Sequence, residues 1–162
     1  MANFKSFYGV IESIEEFWTG SSQPNGCYKL MSVQDGDNAV VNFVVSPDTY
    51  FVDHVMLAEG DTVIGFYDAD IPVPLIYPPQ YRAVVMAKAS QHQNVTVDFF
   101  DETLLSSDGM LKLNLAPSTL MLLENGQRFT GDPANRNLIV VYGPTTRSIP
   151  AQTTPYKLIV MC

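Results

Sequence analysis

The sequence predicts an all-β protein built from two tandem copies of one small β-barrel pattern, with a short helical turn in each copy. Three observations carry this. Runs of β-branched and aromatic residues, bounded by turn residues, recur along the whole 162-residue chain. In the first half they follow the order strand, strand, strand, helical turn, strand, strand. The second half then repeats the first at matched positions.

The elements can be justified in order. Residues 6–17, SFYGVIESIEEF, mix aromatic and β-branched residues with spaced glutamates and read as one long strand. Residues 27–34, CYKLMSVQ, set Tyr28, Leu30 and Ser32 on one face against Cys27, Lys29, Met31 and Val33 on the other. Residues 38–46, NAVVNFVVS, are nearly all β-formers. Between these two strands lies QDGDN, a hairpin turn in which Gly36 is available for positive φ. In SPDTYFVDHVMLAEGD, Ser46 can cap a helix, Pro47 suits its first position and Asp48 suits its N-terminus. One or two helical turns ending before Gly60 are expected there. Strands over 62–70 and 81–89 complete the half.

That order resembles the OB-fold, a five-stranded, partly open Greek-key barrel. The resemblance spans residues 4–89 and is carried by YGVIESIEEF, CYKLMSV, VVNFVVS, GDTVIGFYD and YRAVVMA. It implies that the connection between strands four and five is one of the two loops that shape a binding face.

The internal repeat extends the pattern. VNFVVSPDTYF (41–51) aligns with LKLNLAPSTLM (111–121), placing Pro47 on Pro117 and Thr49 on Thr119. Gly60-Asp61 matches Gly131-Asp132. VIGFYD matches LIVVYG, with Tyr67 on Tyr142. PQYRAVVM matches TPYKLIVM, with Tyr81 on Tyr156. The second copy opens on NVTVDFF and turns a tight hairpin about Asp108-Gly109. The expected domains are therefore residues 1–89 and a shorter copy over 90–162. A unit of this size buries little, so the copies are expected to pack together.

Composition narrows the function classes. Nine Lys and Arg stand against 17 Asp and Glu, a formal net charge of −8, which repels nucleic acids and anionic membrane surfaces. The start of the chain lacks a signal peptide's basic head and continuous apolar core, and no apolar run is long enough to span a bilayer. A cytoplasmic protein is expected, with neither nucleic-acid binding nor membrane insertion. Two cysteines, Cys27 and Cys162, fit a reducing compartment. Cys162 reads as a small residue finishing a strand, although a terminal thiol could bridge to another chain under oxidising conditions.

No reactive constellation stands out. His54 and His92 are the two histidines, and no Cys, His or carboxylate pair has zinc-site spacing. No P-loop, G-x-G-x-x-G or nucleophile elbow is present. DGDN lacks the Gly and closing Glu of a calcium loop. Asp61, Asp68 and Asp70 have nothing to fix their geometry as a cation site. A Cys27/His54 pair has no local support. The expectation is therefore no enzyme activity, no catalytic residue, no metal and no cofactor.

The segment IPVPLIYPPQY (71–81) is different in kind. Pro72, Pro74, Pro78 and Pro79 fix φ and push their predecessors toward extended backbone. The path is stiff and polyproline-like, and it displays Leu75, Ile76 and Tyr77 beside Tyr81. A stiff segment loses little entropy on docking. The second copy places Arg147 among Thr145, Thr146, Ser148, Gln152, Thr153 and Thr154, with Tyr156 after them. The candidate binding residues are Pro72, Pro74, Leu75, Ile76, Tyr77, Tyr81, Arg147 and Tyr156. The chain reads as a structural or protein-binding module that self-associates, as a homo-oligomer or with a protein partner, through β-edges and the Pro-rich loop. The N-terminal strand and YKLIVMC are the edges in view. The alternative is a soluble module binding an oligosaccharide, nucleotide or peptide on its barrel face.

The stretches NFVVSPDTYFVD, GFYDADIPVPLIYPPQYRAVVMA and TTRSIPAQTTPYKLIVMC are similar to small acidic proteins of unassigned role in anaerobic Gram-positive bacteria. That resemblance implies a place in a surface or spore-layer assembly.

Overall fold

A computed structural model describes residues 2–18 and 26–162. The described chain is all-β. It divides into two compact units, one spanning Phe4–Ala89 and the other built from Ser90–Cys162 and Met1–Asn3.

The first unit contains strands β1 (Phe4–Glu16), β2 (Lys29–Gln34), β3 (Val40–Val45), β4 (Tyr50–Phe51), β5 (Thr62–Asp68), β6 (Gln80–Arg82) and β7 (Val85–Lys88). β1 serves two partners. Its first half pairs antiparallel with β5, and its second half pairs with β2 past a bulge between Ile11 and Ser13. A bulge bends a strand and increases its twist, which lets one strand turn from one neighbour to the other. β2 pairs with β3, and β3 pairs parallel with β6. Two residues beyond β6 the chain becomes β7, which pairs antiparallel with β5. The chain itself, through Ala83 and Val84, thus joins the β1-β2-β3-β6 arm of the sheet to the β1-β5-β7 arm. Alternating side chains point inward along the sheet: Met31 and Val33 from β2, Val41, Phe43 and Val45 from β3, Val63 from β5.

The second unit runs through β8 (Asn94–Phe100), β9 (Leu111–Leu113), β10 (Leu120–Leu123), β11 (Arg136–Tyr142), β12 (Ala151–Thr153) and β13 (Lys157–Met161). The same connections recur. β8 pairs antiparallel with β11, β11 with β13, β13 parallel with β10, and β12 parallel with β9. Isolated bridges Phe100–Ser106 and Leu105–Lys112 take the place of a full second strand. The core holds Phe100, Leu111, Leu113, Leu138, Val140, Leu158 and Val160.

Hydrogen bonds at matched positions show how closely the units correspond. Thr49 N–H donates to the Ser46 carbonyl at 3.0 Å, and Thr119 N–H to Ala116 at 2.9 Å. The Thr49 hydroxyl donates to the Ala83 carbonyl at 2.8 Å, and the Thr119 hydroxyl to Pro155 at 2.9 Å. Tyr50 N–H donates to Val84, and Leu120 N–H to Tyr156, both at 3.0 Å. The cis bonds Tyr77–Pro78 and Ile149–Pro150 also fall at equivalent places.

These bonds correct one part of the sequence alignment. Ala83 corresponds to Pro155 and Val84 to Tyr156, so the partner of Tyr81 is Thr153 rather than Tyr156. The parallel pairings agree, with Tyr81 opposite Phe43 and Thr153 opposite Leu113. The letters PQYRAVVM and TPYKLIVM are alike three residues out of register. Backbone pairing to distant strands decides the register, and local resemblance does not.

Three further expectations are overturned. The helical turns are absent from the second unit, and in the first they shrink to a 3-10 turn, Val52–His54, interrupted by Asp53 at φ 61°. Ser46 closes a turn in place of capping a helix: its N–H donates to the Thr49 hydroxyl, while its own hydroxyl accepts from Asp48 N–H. Tyr50 and Phe51 then pair with β7, which holds them extended. In the first hairpin, positive φ falls on Asn38 and not on Gly36, because Asp35 Oδ1 accepts from both Asp37 N–H and Ala39 N–H and shapes the turn itself. The proposed free edge at β13 is also occupied, since β13 lies between β10 and β11, whereas β1 meets β5 along Phe4–Val10 and β2 along Val10–Glu16.

Candidate functional site

The Pro-rich loop and the strand ends beneath it enclose an apolar groove of about 360 Å³ in the first unit. One wall is the loop itself, Ile71 to Pro74. The floor comes from Val44 near the end of β3, Tyr67 and Asp68 at the end of β5, and Gln80, Tyr81 and Arg82 in β6, with Val84 just beyond. Phe17 and Tyr28, either side of the connection from β1 to β2, complete it.

Tyr67 and Tyr81 stack face to face, with ring centroids 3.9 Å apart and an angle of 3° between planes. Their position follows from the register. β6 runs parallel to β3, which sets Tyr81 opposite Phe43, and the Phe43 ring also lies 6.3 Å from that of Tyr67. Burial pushes the Tyr67 phenol above its ordinary value, and the neighbouring Tyr81 hydroxyl adds to the shift. The site is thus a largely apolar slot with a flat aromatic wall and three polar side chains, Asp68, Gln80 and Arg82, at its margins. Its size and lining suit an apolar guest.

Of the expected residues, Pro72, Pro74 and Tyr81 line this groove. Leu75, Ile76 and Tyr77 form the tip of the loop and stand bare, at 102, 54 and 80% exposure. Arg147 and Tyr156 belong to the second unit. Arg147 lies exposed on the loop after Gly143, outside the lining of the hollow at Asn114, Gln152 and Thr153. Tyr156 borders a polar recess with Gln91, His92, Asn94, Gly143 and Pro144.

The second unit carries a hollow at the place equivalent to the groove. Asn114, Gln152, Thr153 and Thr154 stand where the first unit has Val44, Gln80, Tyr81 and Arg82, and Pro144, Thr145 and Thr146 form the loop wall. Many of these polar groups already bond one another. The Thr153 hydroxyl donates to the Pro144 carbonyl, Asn114 Nδ2 to Gln152 Oε1, and Gln152 N–H to the Thr146 hydroxyl.

Sequence reasoning missed Phe17, Tyr28 and Tyr67. A signal was available, since all three sit at strand ends flanking the two connections that the OB-like pattern marks as its binding face. Among the described residues, no group of three or more His, Cys, Asp or Glu side chains could hold a metal ion, and no helix is long and apolar enough to cross a membrane. No protein-family model and no curated protein matches the chain.

Proposed function

We propose that the chain is a non-enzymatic protein-binding module made of two OB-like barrels, the first of which holds an extended apolar segment of a partner in the groove beneath its Pro-rich loop. The order of strand pairing, repeated in the two units, supports the OB-like reading. The stacked Tyr67–Tyr81 pair facing a stiff proline wall is the observation that carries the binding role. Aromatic-lined grooves hold proline-bearing segments because such segments are already extended and lose little entropy on docking. The filled edges of β13 favour this loop and groove over the C-terminal strand as the contact surface. A role within a surface or spore-layer assembly is compatible with that surface.

The test is thermal melting of the intact chain with synthetic proline-bearing apolar peptides, since a ligand of the native state raises Tm. Such peptides should raise Tm in the wild type, and Tyr81→Thr, the residue of the second unit, should remove the rise. Arg147→Ala should leave it unchanged. A wild-type Tm that no such peptide moves would sink the reading.

One observation favours a second reading. The hollow at Asn114, Gln152 and Thr154 is lined by neutral hydrogen-bonding groups, which suits an uncharged polar ligand such as an oligosaccharide. Stabilisation by neutral oligosaccharides, lost in Gln152→Ala, is its signature.

A further inference from the structure

The tip of the Pro-rich loop is the least expected surface of the first unit. Leu75, Ile76 and Tyr77 are consecutive, large and apolar, yet they are 102, 54 and 80% exposed. Contiguous bare apolar side chains on a folded protein mark a contact surface. The tip cannot fill the groove of its own copy in this conformation: residues 71–74 form that groove's wall, and Leu75 touches nothing.

Comparison of the two units links tip and groove. In the first, the tip is Leu75-Ile76-Tyr77 and the groove is aromatic. In the second, the loop is shorter and carries Thr145, Thr146, Arg147 and Ser148, and the hollow is polar. Ile149, at the position of Tyr77, is the large apolar side chain kept bare there. Tip and groove are apolar together in one copy and largely polar together in the other, as expected of surfaces matched to each other.

Resting on the reading of the groove as a seat for an extended apolar segment, we infer that its occupant is the Leu75–Tyr77 tip of a second copy of this chain. Groove and tip lie side by side on one unit, so a two-fold axis places each tip in the other's groove. Such an isologous contact closes on itself and yields a dimer. Charge allows it. Residues 71–81 hold no charged side chain in a chain of net charge −8, and the groove sets charges of opposite sign, Asp68 and Arg82, at its margins. Area also allows it: covering Ile71, Val73 and the three tip residues on both copies, with the groove walls they meet, removes on the order of 1,000 Å² from water, near the lower bound for a specific interface.

The experiment is light scattering and sedimentation of the full chain from low micromolar to millimolar concentration. The wild type should pass from monomer to dimer. Leu75→Asp, at a fully exposed site, should weaken the dimer about tenfold or more without changing Tm at concentrations where the wild type is monomeric. Tyr81→Thr should weaken it similarly by removing the aromatic floor of the groove, and the second unit carries Thr153 at that position. Mixing the two variants should restore association above that of either alone, since the intact groove of one can take the intact tip of the other. A wild type that stays monomeric, or variants whose mixture associates no better than each alone, would overturn the inference. If the wild type stays monomeric while proline-bearing peptides still raise Tm, the binding reading stands and the self-docking falls.

Discussion

The two units fill the same framework with different side chains. In the first, Phe43 projects from β3 and meets Gly65 of β5. A Cβ built on Gly65 would lie 2.6 Å from Phe43 Cζ and 2.9 Å from Met86 Sδ. In the second, the corresponding positions are Leu113, Val140 and Leu158, all buried. Ile11 in turn corresponds to Phe100. Bulk removed at one position is returned at its neighbour. The difference teaches that strand pairing and total core volume define this unit, while the identity of each core side chain is negotiable in matched sets.

The sharpest way to break that comparison is to mix the two solutions. Gly65→Val alone, which overpacks against Phe43, should cost about 3 kcal/mol. Adding Phe43→Leu should recover at least about 1 kcal/mol, because residues in contact couple. Urea denaturation followed by far-UV circular dichroism measures both. Strictly additive losses would mean that the exchange of volume is coincidental.

Next come the repeated threonines. Thr49 is buried, and its hydroxyl serves both Ser46 N–H and the Ala83 carbonyl. Thr119 makes the equivalent bonds but is only half-buried. Thr49→Val should cost about 1–3 kcal/mol by orphaning buried groups, and Thr119→Val less, because water can reach the groups it frees. Equal losses on chemical denaturation would show that burial does not separate the two sites.

Titration sharpens the comparison further. Burial raises the phenols of both Tyr67 and Tyr142. In the first Tyr81 adds to the effect, and in the second the charge of Asp108 does. A group whose folded pKa is raised stabilises the fold fully below its unfolded value, about 10 for tyrosine, and that contribution is lost as pH rises through the folded value. Phenolate absorbance against pH should therefore show two late-ionising tyrosines, removed one at a time by Tyr67→Phe and Tyr142→Phe. High salt should lower the Tyr142 value more, since it screens Asp108.

The smallest effect belongs to Asp101, whose counterpart in the first unit is Glu12 on β1. The Leu105 N–H, then the Thr103 hydroxyl and N–H, hold its carboxyl below the ordinary range. Its contribution is present above the unfolded carboxylate value and lost as pH falls through the lower folded one. Asp101→Ala should slightly flatten the acid limb of stability in the second unit, measured by circular dichroism. An unchanged acid limb would remove the carboxylate from the account.

Much of this was legible in the chain. The alternation of Val41, Phe43 and Val45, the turn at Asp108-Gly109, the repeated Pro-x-Thr and the stiff loop from Pro72 to Pro79 are local patterns, and local patterns follow from side-chain type and backbone freedom. The helical turn at Ser46 was misread because Ser-Pro-Asp serves a tight turn as well as a helix start, and only pairing with β7 selects between them. Half of the groove was also hidden. Pro72, Pro74 and Tyr81 are near neighbours in sequence, but Phe17, Tyr28 and Val44 reach them only through the pairing of β1, β2, β3 and β6.

By itself the sequence determined the strand-forming segments, the duplication and the exposure of an apolar, proline-stiffened loop, because each depends on residues close along the chain. The tertiary structure alone decided the register that puts Thr153, and not Tyr156, in the place of Tyr81, the occupancy of both edges of β13, and the stacking of Tyr67 on Tyr81. Those outcomes depend on backbone hydrogen bonds and packing between strands far apart in sequence, where a shift of a few residues changes which side chains meet without altering any local pattern.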